Sequence, residues 1–335
     1  MRLFLGIDAG QTSSKCALGD ERGTVLSTGS GGPVTHLRDL KSRQDSKHSL
    51  REAVLAALKK AELPGNTSLE AIFLGSSGIA SMGDAGAREM TQILKGIVRA
   101  KIRAVDHDAQ VALAGAIPSC VGVIAIAGTG SLAFGRNSKG ATIRAGGWGY
   151  LIGDSGSAFE IGRRALAAVA RAHDGMGSPT TLTRDILTAL SIEDPAGIKS
   201  RIYLDPNPRI QIAAIAPWVA QCARSGDPIA GEIMRTAGQE AGKMVCAVAR
   251  KLDLNQEAFP FAATGGVTRT GELWLTPFRE EVLAHFPSAM PMIPRFLPHF
   301  GAYLMALRTA GIVISEGLLG GLEESIRDHP DPLEG

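Results

Sequence analysis

The sequence has little of several features that would assign it to a protein class at once. Four of its 335 residues are cysteine, and no two of them form a CxxC pair. A cysteine-based zinc or redox motif is therefore not expected, and buried, reduced thiols of a cytoplasmic protein are the favoured interpretation. Charge is nearly balanced, at 35 Lys plus Arg against 33 Asp plus Glu. This balance gives no reason to expect nucleic acid or an anionic membrane as a partner.

Long apolar runs are also missing. The first apolar run, 3–7, is stopped by Asp8, so a signal peptide is not expected, and no segment approaches the ~20 apolar residues that span a bilayer. Two common nucleotide motifs are absent as well. Nothing fits G-x-x-x-x-G-K-[ST], and no G-x-G-x-x-G joins a strand to a helix ahead of an acidic residue. A Rossmann dinucleotide site is therefore disfavoured.

Glycine, in contrast, is abundant, with 41 residues, and adjacent pairs occur at 31–32, 146–147, 265–266 and 320–321. The richest stretch is 121–154, in which an apolar run at 121–126 breaks into Gly-Thr-Gly-Ser at 128–131. A hairpin pattern follows and ends in Gly-Gly-Trp-Gly at 146–149. Glycine lets the backbone approach a ligand, and consecutive backbone N–H groups can surround an anion. A strand followed by this loop is a candidate phosphate site.

The two halves of the chain share a pattern. Residues 6–28 run as strand, polar turn, strand, turn ending in glycine, and strand, and residues 125–145 repeat that order at nearly the same lengths. We interpret this as an internal duplication that gives two related domains. The alternative is chance similarity between two hairpins.

Helical periodicity follows each of these units. In the first half, Ser49-x-x-Glu52 reads as a capping box that begins a helix after a loop at 29–47. In the second half, Asp227 and Pro228 are typical of the first positions of a helix. The tail from Glu323 is charged and is expected to fray. The predicted helices of the second half are 157–171, 181–191, 210–224, 228–252 and 301–315.

Carboxylates at strand ends are the first candidates for chemistry. Asp8 ends a buried strand, where a carboxylate is costly unless it is paired or binds a cation. It could hold Mg²⁺ beside a nucleotide phosphate, or it could simply cap a turn. Asp106, His107 and Asp108 end another strand. One carboxylate there could be the base for a substrate hydroxyl. Helix capping, a satisfied histidine and an Asp-x-Asp metal site remain alternatives.

Aromatic and glycine residues near the later strands are weaker candidates. Trp148 offers a flat apolar face on which a sugar ring could stack, although a core tryptophan would fit the pattern equally well. Asp154 could accept hydrogen bonds from sugar hydroxyls. Gly265 and Gly266 follow a strand at 258–263 and could lie against a base or a ribose, or form a generic loop.

Taken in order, these motifs resemble one family, the N-acetylglucosamine kinase and BadF/BadG/BcrA/BcrD-type ATPases of the sugar kinase–Hsp70–actin superfamily. The most specific part is GGWGYLIGDSGSAFEIG. The resemblance implies an α/β protein of two RNase H-like domains, the actin-like ATPase fold, with ATP and Mg²⁺ in a cleft. We expect domains at 1–117 and 118–300, with a C-terminal helix at 301–322 that packs back on the first.

The resemblance also implies roles by motif position. Asp108 would be the general base, so the resemblance favours Asp108 over Asp106 for this role. Asp8 would hold the magnesium ion. Phosphate and adenosine contacts would come from Gly10, Gln11, Thr12, Ser13, Thr129, Gly130, Ala223, Gly265 and Gly266. Sugar contacts would come from Thr35, Ser77, Gly147, Trp148, Gly149 and Asp154.

Two departures from the family pattern concern the sugar. Thr35 stands nearest the position of an expected Asn, and Ser155 replaces a Glu. We expect ATP-dependent phosphorylation of a hexose or amino sugar, with N-acetylglucosamine or glucosamine first, by a cytoplasmic homodimer. One alternative is an ATPase that activates a 2-hydroxyacyl-CoA dehydratase or benzoyl-CoA reductase, although the cysteines lack a cluster spacing. The other alternative is a non-catalytic regulator that binds ATP or a sugar. The sequence has no DNA-binding segment before Leu3, which argues against a repressor.

Overall fold

The chain divides into two compact units. A computed structural model describes residues 1–34, 37, 39–79, 83–254 and 258–328. Unit 1 comprises Met1–Cys120 and Pro294–Gly335, and unit 2 comprises Val121–Ile293. The first division lies three residues after the predicted boundary at 117. Within the described ranges no helix has the length and apolarity needed to cross a bilayer.

Unit 1 is built on a five-stranded sheet of order β3-β2-β1-β4-β5. The central strand β1 pairs antiparallel with β2 and parallel with β4, which pairs parallel with β5. The strands and first helices are β1 (Leu3–Ala9), β2 (Ser14–Asp20), β3 (Val25–Gly31), α1 (Leu40–Lys60), β4 (Ser68–Ser76), α2 (Gly83–Lys95), β5 (Arg99–Asp106) and α3 (Asp108–Ala116).

The register of the three parallel strands brings their carboxyl ends to one edge. Asp8 of β1 lies opposite Gly75 of β4, and Gly75 lies opposite Asp106 of β5. The carboxyl edge of a parallel sheet is where ligands bind in open α/β folds. The residues that follow each strand therefore share one location.

The predicted start of the first long helix is wrong. Helix α1 begins at Leu40, nine residues before Ser49, and Asp39 caps it. The Asp39 carboxylate accepts from Ser42 N at 2.7 Å, while Ser42 Oγ accepts from Asp39 N at 3.0 Å. Ser49 lies inside the helix, where its Oγ donates to Pro33 O at 2.9 Å. The first turns of this helix are polar and contribute little to its buried face, so they show no apolar periodicity in the sequence.

Unit 2 contains a second five-stranded sheet, of order β10-β9-β6-β7-β8, and seven helices in its described part. The elements are β6 (Gly122–Ala127), β7 (Ser131–Arg136), β8 (Thr142–Gly146), α4 (Ala158–His173), α5 (Leu182–Leu190), α6 (Gly197–Tyr203), α7 (Pro208–Ala213), α8 (Ala216–Arg224), α9 (Pro228–Lys251), β9 (Pro260–Thr264), α10 (Glu272–His285) and β10 (Met290–Pro291).

The two sheets have the same topology. In each, a strand at the centre forms an antiparallel hairpin with the next strand in sequence and a parallel pair with a later one. Read from the hairpin side, β8-β7-β6-β9-β10 matches β3-β2-β1-β4-β5. The internal duplication inferred from the sequence accounts for this match. The prediction of one helix over 210–224 is wrong, since α7 ends at Ala213 and Pro217 occupies the start of α8.

Asp227 caps α9 and ties a neighbouring loop to it. One carboxylate oxygen accepts from Ile229 N and Ala230 N, at 3.0 and 2.9 Å. The other accepts from Thr181 N at 2.7 Å and from the hydroxyls of Thr180 and Thr181 at 2.8 Å. Burial raises the pKa of Asp227, but these hydrogen bonds outweigh burial and hold the pKa below its ordinary value. The predicted cap is confirmed, and it has a second function in the packing of unit 2.

Replacement of Asp227 by Ala is expected to destabilise unit 2 by about 3 kcal/mol, because several buried donors lose a charged acceptor. Urea unfolding at pH 7 followed by circular dichroism measures the loss. Since the pKa is lowered in the folded state, the contribution is present at neutral pH and disappears as the pH falls below the ordinary 3.8. An exposed carboxylate, Asp174, provides the matched control as Asp174→Ala. Equal stability of Asp227→Ala and this control at pH 7 would contradict the assignment.

The chain returns to unit 1 after residue 293. Arg295 N and Phe296 N donate to Ala116 O and Gly115 O. Helix α11 (Pro298–Thr309) then packs across β1, and α12 (Glu316–Asp328) follows. The prediction of a frayed tail from Glu323 is wrong as far as Asp328, since α12 continues to that residue, and residues 329–335 lie outside the described residues.

Candidate functional site

Asp8 stands at the carboxyl edge of the sheet of unit 1. It is half-buried near the end of β1, where its cross-strand neighbour is Lys15. Burial and, to a smaller extent, the negative charge of Asp108 raise the pKa of Asp8 to about 7, although the positive charge of Lys15 lowers it. A bound cation would relieve this cost, because it offsets the desolvation of the carboxylate and its repulsion from Asp108.

A cation at Asp8 would complete its coordination from outside the protein. Across the described ranges, no group of three or more His, Cys, Asp and Glu side chains converges as a metal cluster. Mg²⁺ suits such a place, since it keeps several water ligands and binds through one or two carboxylates and substrate phosphates. The residues present therefore fit magnesium better than a metal that needs a dedicated protein cage.

The segment 106–108 gives its two aspartates different surroundings. The Asp106 carboxylate accepts from His107 N at 2.7 Å, which closes a local turn. His107 caps α3, and its Nδ1 accepts from Ala109 N at 3.0 Å. Asp108 Oδ1 lies 2.7 Å from that same Nδ1, whose lone pair is already used. Asp108 Oδ1 is buried and has no hydrogen-bond partner among the described residues.

Ser77 presents a second oxygen of this kind. It lies in the single helical turn that follows β4, next to the strand that leads to Asp108. Its Oγ is buried, and none of the described residues forms a hydrogen bond with it. Buried polar atoms are rarely left without a partner in native proteins. Two such oxygens lie just beyond adjacent strands, which indicates a site where a polar ligand supplies the missing hydrogen bonds. Thr35, predicted to contact the sugar, lies outside the described residues.

The first predicted phosphate loop is a tight turn between β1 and β2. Gly10 N donates to Ser13 O at 3.0 Å, and Gly10 O accepts from Val34 N at 2.9 Å. These bonds fix the backbone of the turn. The side chains of Gln11 and Thr12 are exposed above it.

The second predicted loop, 128–131, joins β6 to β7 in unit 2. Gly128 N donates to Gly130 O at 2.9 Å, and the carbonyls of Gly128 and Thr129 accept from Ala158 N and Phe159 N at the start of α4. The loop is therefore held against a helix N-terminus. Its residues 128–130 are half-buried, and Ser131 is buried.

Asp154 is buried at the base of this loop. Its backbone adopts the left-handed region, with φ of 62°. One carboxylate oxygen lies 3.4 Å from Ser131 N, and the other lies 3.3 Å from Arg209 Nη2. Ser131 Oγ donates to Ser155 O at 2.7 Å and closes the cluster. Sequence reasoning missed Arg209, since an arginine after Asn-Pro matches no motif.

The glycines around Trp148 form an open turn. Gly147 and Gly149 have φ of 70° and 83°, which only glycine adopts without strain. Trp148 is 70% exposed, so it is not a core residue and its ring can meet a ligand. Beyond it, Tyr150, Phe159 and Arg163 line a cavity of about 470 Å³.

The three predicted adenosine residues lie in unit 2, near in sequence to residues that line a second cavity. Gly265 has φ of 103° and packs so closely on Ala127 O that a Cβ would lie 2.4 Å from it. Gly266 faces open space. Ala223 precedes Arg224, which lines a cavity of about 680 Å³ together with Thr270 and Glu272. This volume lies within the range of small-molecule sites and can accept a nucleoside.

The four cysteines contribute no site. All four are buried and none of them forms a disulfide bond, as predicted. Burial raises the pKa of Cys16 to about 12 and those of Cys222 and Cys246 to about 11. These thiols stay protonated at neutral pH, and a protonated thiol is a poor nucleophile and metal ligand.

Comparison with known proteins gives the family. The profile of the BadF/BadG/BcrA/BcrD ATPase family matches residues 5–306. The chain belongs to this family. The resemblance stated from the motifs is therefore confirmed, and ATP is the nucleotide that the BadF/BadG/BcrA/BcrD ATPases are named for.

Two relatives of this chain are named as sugar kinases. An N-acetylmuramic acid/N-acetylglucosamine kinase of Clostridium acetobutylicum is 29% identical over 314 residues, which cover 91% of this chain and 98% of the relative. An N-acetyl-D-glucosamine kinase of Dictyostelium discoideum is 28% identical over 319 residues, covering 92% and 98%.

A solved structure supports the fold. A candidate N-acetylglucosamine kinase of Chromobacterium violaceum superposes with a TM-score of 0.74 at 29% identity, covering 92% of this chain and 99% of that one. The predicted fold class, two RNase H-like domains of the actin-like ATPase fold, is confirmed. The roles assigned to individual residues remain predictions.

Proposed function

We propose that this chain is an ATP-dependent kinase of hexoses or amino sugars, with N-acetylglucosamine as the first candidate substrate. The observation that carries the proposal is the pair of buried oxygens, Ser77 Oγ and Asp108 Oδ1, that have no hydrogen-bond partner among the described residues. A sugar hydroxyl is both donor and acceptor, and can serve both atoms. The named activities of the relatives favour an N-acetylated amino sugar.

Asp108 is the general base of the proposed reaction. Its carboxylate accepts the proton of the attacking hydroxyl as that oxygen forms a bond to the γ-phosphorus of ATP. The bond between the γ-phosphorus and the β,γ-bridging oxygen breaks, and ADP leaves with that electron pair. Positioning and charge stabilisation supply most of the acceleration in phosphoryl transfer.

Asp8 is the residue that would hold Mg²⁺, which neutralises charge on the phosphates when it is bound. Gly10, Gln11, Thr12 and Ser13 form one proposed phosphate loop, and Thr129 with Gly130 forms the other. Ala223, Gly265 and Gly266 are proposed to contact the adenosine. Gly147, Trp148, Gly149 and Asp154 are proposed to contact the sugar, and Trp148 does so by stacking. We also propose that the protein is a cytoplasmic homodimer, as the family resemblance implies. Light scattering measures the mass of the particle in solution and tests the dimer.

A coupled ADP-release assay with MgATP tests the function. N-acetylglucosamine, glucosamine, N-acetylmuramic acid and glucose are compared with a reaction that contains no sugar. We expect N-acetylglucosamine to raise ADP release at least tenfold above that background, a criterion of about 1.4 kcal/mol. N-acetylmuramic acid distinguishes an enzyme that also accepts an acidic substituent on the ring.

Binding without turnover would overturn the proposed kinase. If calorimetry finds sugar and ATP binding but no sugar in the panel stimulates ADP release, the chain is a regulator that retained the fold. ATP hydrolysis that no sugar stimulates would instead favour the activator ATPase. Iron analysis of anaerobically purified protein then tests for a cluster.

A further inference from the structure

The cavity of about 470 Å³ in unit 2 adjoins the segment that is proposed to contact the sugar. Gly153 belongs to its lining, and a Cβ built on Gly153 would lie 3.2 Å from Trp148 Cβ. Ser155, on the other side of Asp154 in sequence, lines it too. A substituent of a sugar held by Trp148 and Asp154 therefore has room in this cavity.

One side of the cavity is apolar. Leu151 and Ile152 line it, although their side chains are 83% and 82% exposed. Tyr150 and Phe159 also line it and form an edge-to-face pair with ring centres 5.2 Å apart. Adjacent exposed aliphatic side chains beside a cavity are typical of a surface that contacts another molecule. A methyl group of a ligand would meet apolar atoms here.

The other side of the cavity is charged. Glu160 Oε2 accepts from Arg163 Nε at 2.8 Å, and Glu160 Oε1 accepts from Arg163 Nη2 at 3.0 Å and from Arg164 Nε at 2.7 Å. Two guanidinium groups against one carboxylate leave these three residues with one net positive charge. Ser155 stands where the family pattern has a glutamate, so that residue adds no second carboxylate.

Arg163 is the arginine of this cluster that lines the cavity. Its side chain is 53% exposed, and its Nε and Nη2 are both engaged by Glu160. Its Nη1 forms no hydrogen bond with any of the described residues. A guanidinium has five N–H donors in a planar arrangement, so Arg163 can keep Glu160 and donate to a second carboxylate through Nη1.

We propose that this cavity binds a carboxylate-bearing substituent of the sugar ring, and that Arg163 donates to that carboxylate. The inference rests on the proposed function, because it takes Trp148 and Asp154 as sugar contacts. An ether-linked lactic acid matches both sides of the cavity, since its methyl group suits the apolar side and its carboxylate suits Arg163. A glutamate at residue 155 would repel that carboxylate, so Ser155 is the second residue that determines this specificity.

The test compares N-acetylmuramic acid, which carries this acid, with N-acetylglucosamine, which lacks it, in the ADP-release assay. We expect the wild type to phosphorylate both. Arg163→Gln should lower the ratio of the two kcat/KM values, acidic sugar over neutral sugar, by about tenfold or more, because a hydrogen bond between charged groups is lost. Ser155→Glu should lower the same ratio by about as much, through repulsion.

Two controls separate the contact from size and from general charge. The methyl ester of N-acetylmuramic acid keeps the substituent but not its charge, so Arg163→Gln should change its kcat/KM ratio to N-acetylglucosamine by less than about twofold. Arg164→Gln removes the same charge from α4, but Arg164 is not among the described residues that line the cavity. It should keep the ratio for the acid within about twofold of wild type. An equal loss in both arginine variants would overturn the contact. Arg163→Gln leaves Glu160 paired with Arg164.

Failure of this inference differs from failure of the proposed function. A wild-type protein that phosphorylates N-acetylglucosamine, with the same ratio in Arg163→Gln, overturns the role of Arg163 alone. A wild-type protein that phosphorylates no sugar overturns the kinase. Calorimetric titration of the wild type and of Arg163→Gln with N-acetylmuramic acid then decides the cavity. An affinity about tenfold weaker in the variant supports the contact, and equal affinities or no binding to the wild type overturn it.

Discussion

Replacement of Asp108 by Asn is expected to lower kcat for sugar phosphorylation by about 10²–10⁴-fold, the usual contribution of a general base. Asparagine has the same size and cannot accept the hydroxyl proton, so ATP affinity should change by less than about threefold. The rate of ADP release at a saturating concentration of the preferred sugar gives kcat, and calorimetry gives the ATP affinity.

Asp106→Asn is the matched control for Asp108. Asp106 lies two residues away at the end of β5, but its carboxylate is engaged by His107 N at 2.7 Å. Its replacement should leave kcat within about threefold of wild type, since the local turn retains an acceptor oxygen. A residual kcat of Asp108→Asn above about a tenth of wild type, or an equal loss in both variants, would exclude Asp108 as the base.

Replacement of Asp8 by Asn is expected to stabilise the protein above neutral pH while it abolishes Mg²⁺-dependent activity. The pKa of Asp8 is raised from 3.8 to about 7 by burial and by Asp108. The folded state therefore holds a proton that the unfolded state releases, and wild-type stability falls as the pH rises through this interval. Asparagine removes that cost. The melting temperature of Asp8→Asn should exceed wild type by a few kelvin at pH 8, and the difference should shrink toward pH 4.

Thermal unfolding from pH 4 to pH 9 in the absence of nucleotide measures the effect of Asp8. Asp45→Asn, an exposed carboxylate on α1 of the same unit, controls for the loss of one negative charge. MgATP should stabilise wild type more than Asp8→Asn, because a bound ligand stabilises only the protein that retains affinity for it. A difference in melting temperature that is independent of pH would show that Asp8 does not carry the raised pKa.

The strands and their ends could be read from the sequence because their signals are local. The run that leads to Asp8 is apolar on both faces, as a central strand of a sheet covered by helices must be, and the polar residue marks where it ends. The family order of motifs then supplied the fold. Helix α1 was harder, since its first turns carry polar residues and its cap, Asp39, follows a polar stretch with no apolar periodicity.

Arg209 and Asp154 show what sequence reasoning could not supply. Asp154 was a candidate from the sequence, but its neighbours are Ser131 N, 23 residues earlier, and Arg209, 55 residues later. Such contacts depend on how β7, α4 and α7 pack together, and no spacing rule encodes them. Likewise, the absence of partners for Ser77 Oγ and Asp108 Oδ1 is a property of the packed structure.

The return of the chain to unit 1 determines the order in which the protein can fold during synthesis. One face of the first sheet is covered by α1, whereas the other, with Phe4 and Phe73, is covered by Tyr303 and Leu304 of α11. Unit 2 is continuous in sequence, so all of its residues emerge from the ribosome before α11 does. The sheet of unit 1 therefore keeps this face uncovered until residue 309 has emerged. Chains that stall after residue 293 would therefore carry a finished second unit and an aggregation-prone first one.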